Sequence, residues 1–205
     1  MAGLFLSIDG IDGCGKSTQI ELLREWLVAA GHEVLVVRDP GGTQLGETLR
    51  DILLHRQEIP LDMTAEMLLY MASRAQLVAE LIRPALSDGK TVLADRFLLA
   101  NVVYQGNGGG LDPNTIWKVG EVATGGLRPS QTFLLDLEPA VAQQRMGGQR
   151  DRLESRGVEY MTRVRDGFLA QSRCLESDLT VVDATQAVDV VFNTIKEVVQ
   201  SRLTA

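Results

Sequence analysis

Residues Gly10 to Ser17 read GIDGCGKS, set between a short apolar run, LFLSID (Leu4 to Asp9), and an amphipathic stretch, TQIELLREWLVAA (Thr18 to Ala30). A strand that enters a helix through a glycine-rich turn of this pattern, G-x-x-x-x-G-K-[ST], is a phosphate cradle. Each part has a mechanical job. The glycines let the backbone turn so that successive N–H groups aim at phosphate oxygens, and the helix N-terminus behind them favours an anion. Lys16 supplies a reaching positive charge, and Ser17 offers a hydroxyl to a phosphate-bound Mg²⁺. A nucleoside triphosphate is the expected ligand, contacted along Gly10, Ile11, Asp12, Gly13, Cys14, Gly15, Lys16, Ser17 and Thr18.

Strand and helix patterns alternate along the rest of the chain. EVLVV (Glu33 to Val37) reads as strand 2, followed by the loop RDPGGT (Arg38 to Thr43) and a helix over Gln44 to Leu54. Thr64 reads as the N-cap of a long helix to Ala85, and TVLAD (Thr91 to Asp95) as strand 3. A loop carrying Gly106, Gly108, Gly109 and Gly110 precedes a helix over Pro113 to Ala123. QTFLLDL (Gln131 to Leu137) is strand 4, and a helix over Pro139 to Met146 follows it. A helix over Val158 to Leu175 leads to strand 5, LTVVDA (Leu179 to Ala184), and a last helix repeats Val188, Val191, Ile195, Val198 and Leu203 at helical spacing. Nearly continuous Val, Leu and Ile in the strands predicts a parallel sheet covered on both faces. The expected fold is one α/β domain over residues 1–205, doubly wound on about five parallel strands, with ligands beyond the strands' carboxyl ends.

The groups at those ends are chemically suggestive. A carboxylate inside an anion cradle does not help a triphosphate, so Asp12 is expected to face something else, such as a sugar hydroxyl, with a solvated loop acid as the alternative. Arg38 ends strand 2 and suits a second phosphate. Asp95 ends strand 3, where an acid beside a phosphate loop serves a metal-bound water or a lysine, and Arg96 adds another phosphate ligand. Arg145, Arg150, Arg152, Arg156 and, one turn on, Arg163 surround Gly147 and Gly148. That stretch, about residues 145–157, reads as a lid carrying arginines to the transferred phosphoryl group, with a solvated charged loop as the alternative. Two anionic ligands meeting under a lid describe a small-molecule phosphotransferase. No [NT]KxD guanine-recognition sequence occurs.

Bulk properties set limits. With a net charge of −7, nucleic acid is not the expected main partner, since a phosphate-tracking surface would be basic. No apolar run approaches a membrane span, and no membrane association is expected. Two cysteines, one inside the phosphate loop, do not make a disulfide framework, which suggests a reduced cytoplasmic setting. Cys14 reads as a small residue tolerated in the loop; an accessible, low-pKa thiol beside Lys16 is the other reading.

Seven segments in this order resemble the thymidylate kinase (dTMP kinase) family: IDGIDGCGKST (Ile8 to Thr18), RDPGGT (Arg38 to Thr43), LLYMASRAQLV (Leu68 to Val78), DRF (Asp95 to Phe97), NVVYQG (Asn101 to Gly106), DRLE (Asp151 to Glu154) and VDAT (Val182 to Thr185). The resemblance implies a P-loop nucleoside-monophosphate-kinase fold and ATP-dependent, Mg²⁺-assisted transfer of a phosphoryl group to dTMP, giving dTDP in the synthesis of dTTP for DNA replication. It implies ATP on the phosphate loop, Asp12 on the dTMP 3′-hydroxyl, and Arg38 with Arg96 on the dTMP phosphate. Tyr70 would stack on thymine, Arg74 would bond the base, Asn101 and Gln105 would meet the base edge, and Tyr104 would crowd the 2′ position. Ser17 and Asp95, the latter through water, would serve the metal. Some relatives carry an arginine within the loop, where this chain has Gly13; it thus resembles the bacterial type whose lid supplies the catalytic arginine. Arg145 and Arg150 are the candidates, Arg145 the favoured one, alongside Lys16, Asp95 and Arg96. A homodimer is implied as well. Three positions depart from the pattern: Asp39 for the usual Glu, Asn107 to Gly110 without the common arginine, and Tyr70 for Phe. Alternatives are a kinase for another deoxynucleotide or for a deoxynucleoside, and an ATP-binding regulatory or scaffold protein without catalysis.

Overall fold

The computed structural model describes residues 3–146, 152, 156–175 and 178–204. Five strands, β1 (Phe5–Asp9), β2 (Val34–Arg38), β3 (Thr91–Asp95), β4 (Gln131–Asp136) and β5 (Leu179–Asp183), form one all-parallel sheet in the order β2-β3-β1-β4-β5. The expected doubly wound α/β fold is observed, and β1 is the central strand at which the winding direction changes. Register brings the carboxyl ends together, with Asp95 beside both Ile8 and Arg38.

Alternate residues of the strands separate onto two faces. Leu6, Ile8 and Leu93 cluster with Leu23 and Leu27 of α1 (Lys16–Ala29) and with Ile195 and Val199 of α9 (Val188–Thr204). Phe5, Val92 and Ala94 cluster with Met71 of α3 (Met63–Leu77), Ala85 of α4 (Arg83–Ser87) and Ile116 of α6 (Pro113–Thr124). This two-sided burial is what the unbroken apolar strands demand.

Several element ends differ from the sequence expectation. Asp62, not Thr64, caps α3, accepting the Thr64 N–H at 2.8 Å. The earlier residue wins because its carboxylate reaches an N–H two positions on and adds charge to the positive end of the helix. A π-helical stretch, Val78–Ile82, joins α3 to α4 just ahead of Pro84, which has no N–H with which to continue an α ladder. The stretch expected to end in a glycine-rich loop is instead α5 (Leu98–Asn101) running into a second π-helical stretch, Val102–Gly108. Its glycines answer to packing: a Cβ on Gly108 would lie 2.8–2.9 Å from Val164 and Tyr160 of α8 (Val158–Ser172). Two more helices, α2 (Gln44–Leu54) and α7 (Pro139–Arg145), complete the fold around the site.

Candidate active site

The loops beyond β1, β2 and β3 enclose a cleft of about 470 Å³. Asp12, Gly13, Gly15, Lys16, Ser17 and Thr18 of the phosphate loop line one end, and Tyr70, Arg74, Asn101, Tyr104 and Gln105 line another part. Arg38, Asp95, Arg96 and Arg145 also line it, so one cavity gathers groups that are scattered along the sequence. Gly10, Ile11 and Cys14 lie behind the lining.

The loop is built by left-handed turns at Gly13 (φ 81°) and Gly15 (φ 99°). The close approach at Gly13 is tight, since a Cβ there would stand 2.5 Å from the carbonyl oxygen of Ala142 on α7. Helix α1 begins at Lys16, two residues earlier than expected, which puts Lys16 and Ser17 in the turn whose N–H groups have no helical partner. The Lys16 ammonium donates to the carbonyls of Gly10 (3.2 Å) and Ile11 (3.0 Å) and to Asp12 Oδ1 (3.1 Å). Cys14 is buried and burial pushes its thiol up, so the reading of an accessible reactive thiol does not hold.

Arg96 is the hub between loop and cleft. It donates to the Gly10 carbonyl and to Asp12 Oδ1, both at 2.7 Å, and its guanidinium lies 5.1 Å from the Tyr104 ring centre. It also holds a φ of 67°, rare for a residue with a side chain and typical of strain kept at working sites. Burial acts to raise the Asp12 pKa, but Arg96 and Lys16 outweigh it and hold this carboxyl well below the usual range. Asp12 is therefore a permanent anion clamped by two cations, and it still lines the cleft. Behind it, Asp9 is completely enclosed, and burial pushes its pKa to about 6 against the pull of Arg96.

A second polar layer reaches across the cleft. Arg74 and Asp39 form a buried ion pair at 2.6 Å, and Arg74 also donates to Asn101 Oδ1 at 3.1 Å. Burial pushes the Asp39 carboxyl up while Arg74 opposes it. The shorter acid at position 39 thus meets a guanidinium from α3, a pairing that sequence separation hides. Tyr70 is buried at the cleft wall, and the Tyr104 hydroxyl is buried with no hydrogen-bond partner among the described residues. One oxygen of Asp95 is likewise unpartnered among them.

The arginines divide into two groups. Arg38 is exposed and pairs with Glu47 at 3.2 Å, and Arg145 donates to the Ala184 carbonyl at 3.2 Å while lining the cleft. Arg152 instead donates to the carbonyls of Leu53, Arg56 and Ile59, Arg156 pairs with Glu66, and Arg163 donates to Gly108. These three are engaged with carbonyls and an acid of the scaffold, whereas Arg38 and Arg145 line the cleft. Arg150, the other catalytic candidate, lies outside the described residues, as do Asp151 and Glu154.

One cleft cation escaped the sequence reading. Arg50 of α2 lines the cavity, donates to the Pro40 carbonyl at 2.9 Å and has its pKa lowered by burial and by Arg38. A signal existed: Gly46, Arg50 and Leu54 are spaced by four, and the flanking two are buried, so a charge sits on the inward stripe.

This geometry agrees with comparisons to known proteins. A family model described as "Thymidylate kinase" matches residues 8–195. Thymidylate kinase of Rhodopirellula baltica is 48% identical over 193 residues, 94% of this chain and 78% of that protein. The thymidylate kinase of Caldanaerobacter subterraneus is 44% identical over 204 residues, 99% of this chain and 98% of that one. Among solved structures, thymidylate kinase from Ehrlichia chaffeensis superposes with a TM-score of 0.79 at 29% identity, covering 97% of this chain and 99% of the other. Sequence pattern, fold and cleft converge with these matches, and the chain belongs to the thymidylate kinase family.

Proposed function

We propose a division of the cleft in which the loop end, Gly10 to Thr18, holds ATP and the end lined by Tyr70, Arg74, Asn101, Tyr104 and Gln105 holds dTMP. The reaction is that of the family, ATP-dependent phosphorylation of dTMP to dTDP. The observation that carries the division is the continuity of one cavity from Lys16 to Asn101, with Arg96 and Asp12 joined at its middle.

The chemistry asks little of a base. An oxygen of the dTMP phosphate, already ionised near neutral pH, forms a bond to the γ-phosphorus of ATP. The bond from that phosphorus to its bridging oxygen breaks, and ADP leaves. The work is alignment and stabilisation of charge on the equatorial oxygens. Lys16 is held by two carbonyls and Asp12, weaker partners than phosphate oxygens, and re-aims to the triphosphate. Arg38, Arg50 and Arg96 serve the acceptor phosphate, and Asp12 serves the sugar. Arg145, at the end of the helix that abuts the loop, serves the transferred group.

Ser17 and Asp95 fit a phosphate-bound Mg²⁺. Both line the cleft, one Asp95 oxygen is buried and unpartnered, and no cluster of three His, Cys, Asp or Glu ligands exists among the described residues. That donor set suits a metal held mostly by water and phosphate. The ion would neutralise charge on the β- and γ-phosphates.

We further propose that residues 1–205 act as one unit and pair as a homodimer in the cytoplasm. Leu45 of α2, Leu68 of α3 and Val122 of α6 are exposed on helices that pack in succession, and among the described residues no helix is long and apolar enough to cross a membrane. Leu68→Asp with Val122→Asp yields a monomer by sedimentation under this reading, and an unchanged sedimentation coefficient refutes it. The assignment of the acceptor is tested by comparing dTMP, dUMP, dCMP and thymidine with ATP and Mg²⁺. Activity on thymidine but not dTMP would sink it.

A further inference from the structure

Glu66 stands in the first turn of α3, is 1% exposed and belongs to none of the groups so far given a task. Its two oxygens look in different directions. One accepts Nε2 of Gln105 at 2.8 Å, and the other accepts Nη2 of Arg156 at 2.5 Å. From Gln105 the bonds continue without a break. Its Oε1 accepts Nδ2 of Asn101 at 2.6 Å, and Asn101 Oδ1 accepts Nη1 of Arg74 at 3.1 Å. Arg74 ends the line on Asp39.

The order of group types along this line matters. A guanidinium can only donate and a carboxylate can only accept, while a primary amide does both at opposite ends. Two amides in series between Arg74 and Glu66 therefore have a single satisfied polarity. Turning either amide sets donor against donor at Arg74 or oxygen against oxygen at Glu66, in a buried site where an unmet polar group is costly. This holds whatever orientation is drawn for each amide, because the two termini dictate it. Asn101 and Gln105 both line the cleft, so the atoms they show to a bound base are dictated too.

We propose that Glu66 is a positioning residue for base selectivity: by fixing the amide polarity of Gln105 and Asn101 it makes the acceptor end of the cleft take a 4-oxo pyrimidine and refuse a 4-amino one. A 4-oxo ring places an acceptor at C4 beside an N3–H donor, and a 4-amino ring reverses both, so one fixed amide polarity cannot satisfy the two. This rests on the placement of the dTMP base against Asn101 and Gln105.

The substitution Glu66→Gln leaves one acceptor for two neighbours that each require one. Either Arg156 is left facing an amide N–H, or the amide pair turns and meets Arg74 wrongly. Adding Arg156→Gln supplies a new acceptor for the amide introduced in E66Q, whose oxygen then returns to Gln105. Arg156→Gln alone leaves Glu66 on Gln105. The test uses the full chain with ATP and Mg²⁺, measuring kcat and KM for dTMP and dCMP, with dCMP also titrated as a competing ligand. The ratio of dTMP to dCMP efficiency falls about tenfold or more in E66Q, mainly through dTMP KM, the size expected for loss of one hydrogen bond to a charged group. It stays near the parent value in R156Q, and in E66Q/R156Q it recovers to within about threefold of the parent. A purely structural Glu66 gives equal losses on both substrates and a double variant worse than either single one, which overturns the proposal. A ratio that falls in R156Q as far as in E66Q overturns it as well, even if E66Q folds poorly. Asn101→Ala separates the two layers. If it leaves the ratio intact, the base placement fails and this inference with it; if it lowers the ratio and E66Q does not, this inference alone fails.

Discussion

Asp9 to Asn is the substitution whose outcome can be worked out most fully. The carboxyl ends β1 with no solvent exposure, accepts one weak bond from Ser7 at 3.3 Å and leaves its other oxygen without a partner among the described residues. Burial, only partly offset by Arg96, Ser7 and Lys16, raises its pKa from the ordinary 3.8 to about 6. The sign follows from proton counts. Between those values the native protein binds more of this proton than the unfolded chain, so this group's contribution to stability is greatest below its unfolded pKa and declines as pH rises through about 6. At ~1.4 kcal/mol for each tenfold change in acidity, ionising Asp9 in the fold costs about 3 kcal/mol. Because the unfolded chain is already mostly ionised at pH 4.5, the interval from pH 4.5 to 7.5 expresses about 2 kcal/mol of that total. Urea unfolding of the parent and of Asp9→Asn at the two pH values isolates the contribution, since every other titrating group is common to both. The expected result is a variant more stable than the parent at pH 7.5 by about 2 kcal/mol more than at pH 4.5. Parallel pH dependences in the two proteins would refute the reasoning. So would a uniform loss in the variant, which would mean that attraction to Arg96 and Lys16 exceeds the cost of burial.

Other outcomes test the site more directly. Lys16→Ala is expected to lower kcat by about 10²–10³, and Arg145→Ala by about 10³ or more, in a coupled ADP-release assay; normal turnover in the second would move the catalytic role to Arg150. Arg50→Ala should raise the KM for dTMP about tenfold or more and leave that for ATP nearly unchanged, as expected for one lost charge-assisted contact. Asp12→Ala should harm the KM for dTMP more than that for ATP, with equal changes arguing that Asp12 only braces Lys16 and Arg96. Gly13→Ala should lower stability in urea by about 2–4 kcal/mol, from a left-handed backbone and a collision with Ala142.

Much of the fold was legible because its signals are local. A strand buried on both faces cannot alternate, and that property of FLSID, TVLAD and QTFLLD announces a parallel sheet without knowledge of its order. The phosphate loop, too, is a local device. What escaped was non-local. Gly106 to Gly110 read as a loop, yet Gly108 is small because Tyr160 crosses it, and no pattern within the segment reports a neighbour so far along the chain. Arg74 was expected to serve a base, and its ion pair with Asp39 could not be foreseen across thirty-five positions. The partners of Arg152 and Arg156 were hidden for the same reason, since they are carbonyls of Leu53, Arg56 and Ile59 and the acid Glu66, some ninety positions or more away. Arg50 alone was within reach, as a charge on an inward helical stripe.

The contact at Gly13 ties the phosphate loop to the seat of Arg145. The loop and α7 are separated there by the bulk of a hydrogen atom, so a side chain at position 13 and the present seat of α7 exclude one another. A side chain at position 13 and Arg145 at its present seat are then alternatives in this packing. Passing from one to the other requires α7 to retreat before the new residue can be accommodated, and during that retreat Arg145 leaves its place. The identity of residue 13 thereby sets where Arg145 can stand, although the two positions are far apart in sequence.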